Sequence, residues 1–246
     1  MGDQQTGPSG SSRFGRVAPL IASACFAVGD VLLLGGRIDK QKYSILARAD
    51  VSDDIGMMLP ESTRRLQAGA LMGVLSGPLF LAGTYDQYRC LVNGRSGSRA
   101  AVLAAVLSAS AHALAPFIHG SFYPCAEAFR TAQEAADAGA SQREVDHLVD
   151  QANRIRSTIK IVYVAYGAAQ LGASAVMTGL ILGGRTRYPR AAAFTVAPAL
   201  PVAAAGWLVG FSNRGRPPVR ALQGTGLSLG LAMSYAASAL LRRKTC

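Results

Sequence analysis

Three side chains in this sequence sit where an ionisable group is costly. Asp30 lies between Val28-Gly29 and Val31-Leu32-Leu33-Leu34, and His112 and His119 fall seven residues apart in a second apolar stretch. A carboxylate at the centre of a membrane helix costs about 2.5–3.5 kcal/mol on insertion scales, so such residues tend to be functional. Asp30 is therefore a candidate acid, the kind of group that dry sites use for proton chemistry. The structural alternative is a hydrogen bond from Asp30 to another helix. A spacing of seven puts both histidines on one helical face. Counting inward from the basic ends of the runs places Asp30 and His112 in the same half of a bilayer, with His119 nearer its surface. A site shared by Asp30 and His112 is the expectation, and a backbone hydrogen bond is the plainer role for each histidine.

Other candidates surround these. Phe117, Phe122, Tyr123 and Phe129 gather after His112, with Pro116 and Pro124 among them. They read either as an interfacial aromatic belt or as the wall of a cavity whose ring faces stabilise a cation. Arg64 and Arg65 precede the second apolar run and would reach headgroups or hold an anionic substrate. Tyr163, Tyr166 and Gln170 share a face of a later run and could line the same interior as Asp30. Asp86 stands at the opposite end of its run, where a charge needs no special role.

The elements that position these groups follow from composition. Half of the 246 residues are apolar and 16% are charged, against roughly 25% charged in soluble domains. Too little charge remains to cover a water-facing surface. About 20 residues at 1.5 Å each cross a ~30 Å hydrocarbon core, and six runs meet that length. They are residues 17–36, 66–85, 100–119 (extending to 129), 159–183, 191–211 and 221–241, with the fifth bent by Pro198 and Pro201. The fold class is all-α, a polytopic transmembrane bundle of about six helices, with a seventh possible. Residues 1–16 form a disordered leader, 17–241 one membrane domain, and 242–246 a basic tail.

The net charge of +11 comes from 25 basic and 14 acidic residues. The arginines cluster between apolar runs, as membrane flanks do, and not on a base-reading face, which excludes nucleic acid. Arg13, Arg16, Arg95, Arg99, Arg185, Arg187, Arg190, Arg242, Arg243 and Lys244 share one face of a six-span bundle. By the positive-inside rule the termini are cytoplasmic in the cell membrane, with Arg214, Arg216 and Arg220 as the exception. The connections 37–65 and 120–158 then lie outside. The second contains Ser141-x-x-Glu144, a capping box, followed by an apolar stripe of Val145, Leu148, Val149, Ala152 and Ile155. A surface helix lying on the membrane or over a cavity mouth is expected there. Gly69, Gly73 and Gly77 form a small-residue ridge for close packing or a groove. The four cysteines show neither metal-ligand spacing nor a disulfide framework. Neither a P-loop nor a dinucleotide, serine-elbow or zinc motif is present, and no cofactor or metal is expected.

Gly29-Asp30, Arg65-Leu66 leading to Gly77-Pro78, and the histidine-bearing third run resemble small bacterial membrane-bound terpene cyclases of meroterpenoid and indole-sesquiterpenoid pathways. The resemblance covers about half of the chain. It implies a cofactor-independent isomerase or lyase in the membrane that protonates a prenylated, indole-type substrate. Asp30 would be the acid, with Glu127 a second carboxyl and His112 beside them. The alternative is a transporter or small-molecule binding protein with Asp30 and His112 on a proton or cation path.

Overall fold

The computed structural model describes residues 10–92, 98–212, 222 and 224–242. Among these there is no strand. The helices are α1 (Gly10–Leu34), α2 (Asp53–Met58), α3 (Thr63–Leu91), α4 (Arg99–Asp137), α5 (Gln142–Leu182), α6 (Ala193–Val196), α7 (Ala199–Ser212) and α8 (Gly226–Leu241), with a 3-10 turn at Ser44–Ala47. Four of them, α1, α3, α4 and α5, are long and apolar enough to cross a membrane. A fifth span is formed if Arg190–Val196 and Ala199–Val209 are taken together across a 50° bend, and α8 is a shorter apolar helix. The polytopic all-α bundle follows, with the bend at the expected prolines.

The break in the fifth span is satisfied by its neighbours. Pro198 cannot continue the ladder. Ser234 on α8 donates to the Val196 carbonyl at 2.7 Å, and the Ala199 N–H reaches Ser174 Oγ on α5 at 3.0 Å. Broken backbone at membrane depth persists only where protein supplies such partners.

Two boundaries differ from expectation, and that of the tail does not. The leader is helical from Gly10, because α1 extends far enough for Gly15 to pack against Asp86 of α3. The tail begins with Arg242, whose guanidinium is held by Asp86. The third connection is not a separate surface helix. Its capping box is real, since Ser141 Oγ accepts the Glu144 N–H, but it opens a helix of 41 residues that continues into the fourth span. At 1.5 Å per residue α5 is about 61 Å long, twice the ~30 Å core. It forms a hairpin with the 39-residue α4 that projects beyond the bilayer. The turn needs a positive φ at Gly139 (77°), where the Ala140 N–H reaches Ala135 O in a six-to-one helix cap.

That projection explains the stripe on α5. Val145, Val149 and Ala152 are buried against a cap made by the first connection, whose Ile45, Leu46, Ile55 and Met58 belong to the same apolar cluster as Phe129. Leu148 is half-buried and Ile155 exposed. The Arg48 side chain clamps the cap to Asp146 at 2.5 Å. Hydrogen bonding to Arg48 pulls the Asp146 carboxyl below its ordinary range, and the same bond raises Arg48.

Close helix approach rests on glycine. On α3, a Cβ at Gly69 would meet Leu33 Cγ at 2.8 Å, and one at Gly77 would meet Pro116 Cγ at 2.4 Å. A Cβ at Gly73 would stand 2.2 Å from His119 Cγ and 2.4 Å from its Cβ. The ridge is therefore filled by α1 and α4 and leaves no groove. Gly73→Ala should cost about 1–3 kcal/mol, lowering the melting temperature and the monodisperse yield. Gly167→Ala meets nothing within 4 Å and should stabilise by up to about 1 kcal/mol through helix propensity. Equal melting temperatures for the two variants would contradict this packing.

Candidate functional site

Asp30, in the last two turns of α1, is 8% exposed. Ser228 of α8 donates its hydroxyl to Oδ2 at 2.6 Å, and His119 Nε2 of α4 lies 3.3 Å from Oδ1. Two elements distant in sequence thus converge on one carboxylate. His119 reaches it because Gly73 and Gly29 leave room, the imidazole Cε1 lying 3.3 Å from where a Gly29 Cβ would be. Phe26 packs edge-on against the imidazole at 4.2 Å.

His119 Nδ1 is buried without a hydrogen bond, while Nε2 faces the Asp30 carboxyl group.

His112 does not share this site. It is 1% exposed, accepts or donates at Nδ1 to Thr84 Oγ1 at 2.9 Å, and lies 3.4 Å from the Tyr235 hydroxyl. The seven-residue spacing puts the histidines about 10.5 Å apart along α4, so only one can reach Asp30. Phe80 stacks on His112 at 4.9 Å and meets Phe26 edge-on at 5.0 Å, filling the gap. The interior therefore holds two polar stations separated by aromatic rings.

The other expected residues are spread out. The Glu127 carboxylate is held by Arg130 at 2.5 Å and by the Thr63 hydroxyl at 3.0 Å, tying α4 to the start of α3 and leaving no free acid. Arg65 donates to Val31 O at 3.0 Å and pairs with Glu61, so it caps the C-terminus of α1. Arg64 is exposed. Phe117 is 47% exposed and faces outward, as a belt residue would, whereas Phe122 is buried. Tyr123 accepts from Gln67 at 3.0 Å. Tyr166 and Gln170 are buried on one face of α5, and the Tyr166 hydroxyl and both Gln170 amide atoms have no partner.

Sequence reasoning missed the role of α8. Ser228, Tyr235, Ser238 and Arg242 follow at offsets of seven, three and four, which is one helical face. They meet Asp30, His112, the Tyr188 hydroxyl (2.6 Å) and Asp86 (2.9 Å) in turn. The row spans about 21 Å. Its spacing was visible in the sequence, but serine and tyrosine carry no signal of burial. Asp86, placed at an ordinary helix end, is 7% exposed. Arg95, Arg214, Arg216, Arg220, Arg243 and Lys244 lie outside the described residues.

One comparison bears on this buried polar row. The chain belongs to a family of unknown function, DUF6796, which matches residues 16–245. The matched stretch includes both stations and all of α8. No curated protein and no solved structure matches the chain.

The pairing at Asp30 has a thermodynamic signature. Ser228→Ala should cost about 0.6 kcal/mol, the mean for hydrogen bonds between membrane helices. His119→Leu should cost about 1–3 kcal/mol by stranding a buried acceptor. Adding Asp30→Leu to His119→Leu should recover much of that loss, so the double-mutant cycle in reversible micellar unfolding should show coupling. Additive losses would mean that the two groups do not interact.

Proposed function

We propose that the chain is a proton-coupled membrane protein that handles a small lipid-soluble molecule, with Asp30 and His119 holding the coupling proton. The observation that carries this reading is the buried carboxylate–imidazole pair beside a second station at His112. A proton arriving at the first station converts Asp30 and His119 from a charged-neutral pair to a net neutral one, removing a charge from the dry interior. The Phe26 and Phe80 rings keep the stations from exchanging protons at rest, so transfer needs a movement. The 50° break between α6 and α7 supplies a hinge. Its Val196 carbonyl is held by Ser234 of α8, the helix that also contacts both stations. The family assignment neither favours nor disfavours any activity.

A second reading is supported by a different observation. An apolar cavity near the end of α1 is lined by Leu34, one turn beyond Asp30, and by the rings of Phe122 and Tyr163. Ring faces beside a prenyl chain favour a developing cation, as the terpene cyclase resemblance requires. Asp30 does not line that cavity, and its Oδ2 is already engaged by the Ser228 hydroxyl, so this reading comes second.

Arg13 and Arg16 at the start of α1 and Arg242 just after α8 favour termini on the cytoplasmic side of the cell membrane. The disulfide at Cys90, at the same end, belongs with an oxidising compartment and is an observation against that orientation.

One preparation separates the two functions. Proteoliposomes holding a pH-sensitive dye receive a pH step and a panel of prenylated indoles, organic cations and weak acids. Proton coupling predicts solute-dependent proton entry without a new compound in the extract. Cyclisation predicts an isomer of unchanged mass without proton flux. Asp30→Asn should lower either activity at least tenfold while the protein still inserts, and full activity in that variant would overturn both readings.

A further inference from the structure

We infer that the cavity under the extramembrane cap binds a single-chain amphiphile with an anionic head. The inference goes beyond proton coupling, because it stands on the cavity and its mouth alone. The cavity has a volume of about 230 Å³ and lies among α1, α2, α4 and α5. Its walls are Ile55, Met58, Phe122, Ile159 and Tyr163, and the polar groups on it are Asp54, Arg156 and Lys160. Pockets for drug-sized ligands run to roughly 300–1,000 Å³, so this volume suits a single narrow chain.

The charges set the head group. Arg156 Nη2 meets Asp54 Oδ1 at 3.1 Å, and the same carboxylate oxygen also accepts the Ser52 hydroxyl. Asp54 thus neutralises one cation. The Arg156 Nε is buried without a hydrogen-bond partner. Lys160, one turn further along the same face of α5, has no ion-pair partner among the described residues. One net positive charge and one unused guanidinium donor therefore remain at an otherwise apolar pocket. A phosphate or carboxylate accepts from both groups, whereas a neutral hydroxyl satisfies one donor and leaves the lysine charge unpaired.

The depth matches the occupant. Lys160 is the last charged residue before residues 161–182, which are uncharged. It stands where α5 enters the hydrocarbon, the level of lipid head groups. Tyr163, one turn inside, both lines the cavity and is 41% exposed, so the pocket has a wall open to the lipid side. An amphiphile in the leaflet would slide its chain in past Tyr163 with its head already level with Lys160. Two sources share this chemistry, a fatty carboxylate and a prenyl phosphate.

The full-length protein in nanodiscs can be tested with radiolabelled laurate and geranyl phosphate, using dodecanol and geraniol as neutral counterparts and subtracting uptake by protein-free nanodiscs. At least one anion should bind tenfold or more tighter than its alcohol, and the tighter of the two identifies the source. Lys160→Ala, on an exposed side chain, should cut that preference to threefold or less, and Arg156→Gln should do the same. Cys125→Phe, which fills the wall from α4, should abolish saturable binding with helicity unchanged. Alcohols binding as tightly as anions, or a preference unaltered in Lys160→Ala, would overturn the inference whether or not Arg156→Gln folds. Because binding is read without proton flux, it can fail while the role of Asp30 stands, and the reverse.

Discussion

A carboxylate inside a bilayer has no water to turn to, and much of this bundle is arranged around that fact. Asp30 takes a hydroxyl donor from α8 and stands 3.3 Å from an imidazole of α4. That imidazole, His119, then needs the space that Gly73 and Gly29 leave. Gly29 and Gly69 bring α1 and α3 within backbone distance, and Gly73 and Gly77 take in the His119 and Pro116 side chains of α4. One polar group thus fixes the mutual positions of four helices. Apolar packing could not do so alone, since lipid tails compete equally for apolar faces.

The same constraint governs the irregular parts. The broken span between α6 and α7 keeps its open carbonyl and N–H partnered by serines of α8 and α5. Arg65 closes the carbonyl end of α1. Arg130 reaches Glu61 O at 2.6 Å and Thr63 at 2.8 Å, joining α4 to the loop that opens α3. Against this background the unpartnered Tyr166 hydroxyl and Gln170 amide stand out. They lie on the α5 face turned inward, so this interior retains polar capacity that its own side chains do not use.

Much of the fold was legible because span length is a direct physical requirement. Apolar runs of about 20 residues and the capping box at Ser141 marked helix positions, and Pro198 marked the break. The continuity of α5 was not legible. Its charged first half reads as a separate surface helix until the cap of Ile45, Ile55 and Met58 supplies a partner for Val145 and Val149. At the site, the burial of Asp30 was readable from the apolar run around it, but its partner was not. His112 and His119 share a face, and the room that Gly29 and Gly73 leave beside His119 goes with that one reaching the carboxylate. Ser228 was invisible for a related reason. A serine in a membrane helix ordinarily bonds its own backbone, and nothing local distinguishes one that bonds across.

The two stations are nevertheless tied to common elements. His112 and His119 ride on α4, while Tyr235 and Ser228 ride on α8, and Phe26 and Phe80 fill the space between. A shift of α8 along its axis would alter the contacts of Asp30 and His112 together, because both are made by side chains of one rigid helix. A shift of α1 would alter only the first, since α1 contributes nothing polar to the second. The direction of any coupling therefore runs through α8, and α8 is also the helix whose Ser234 holds the broken span. The hinge, the partner of the buried acid and the partner of the second histidine are mechanically one body.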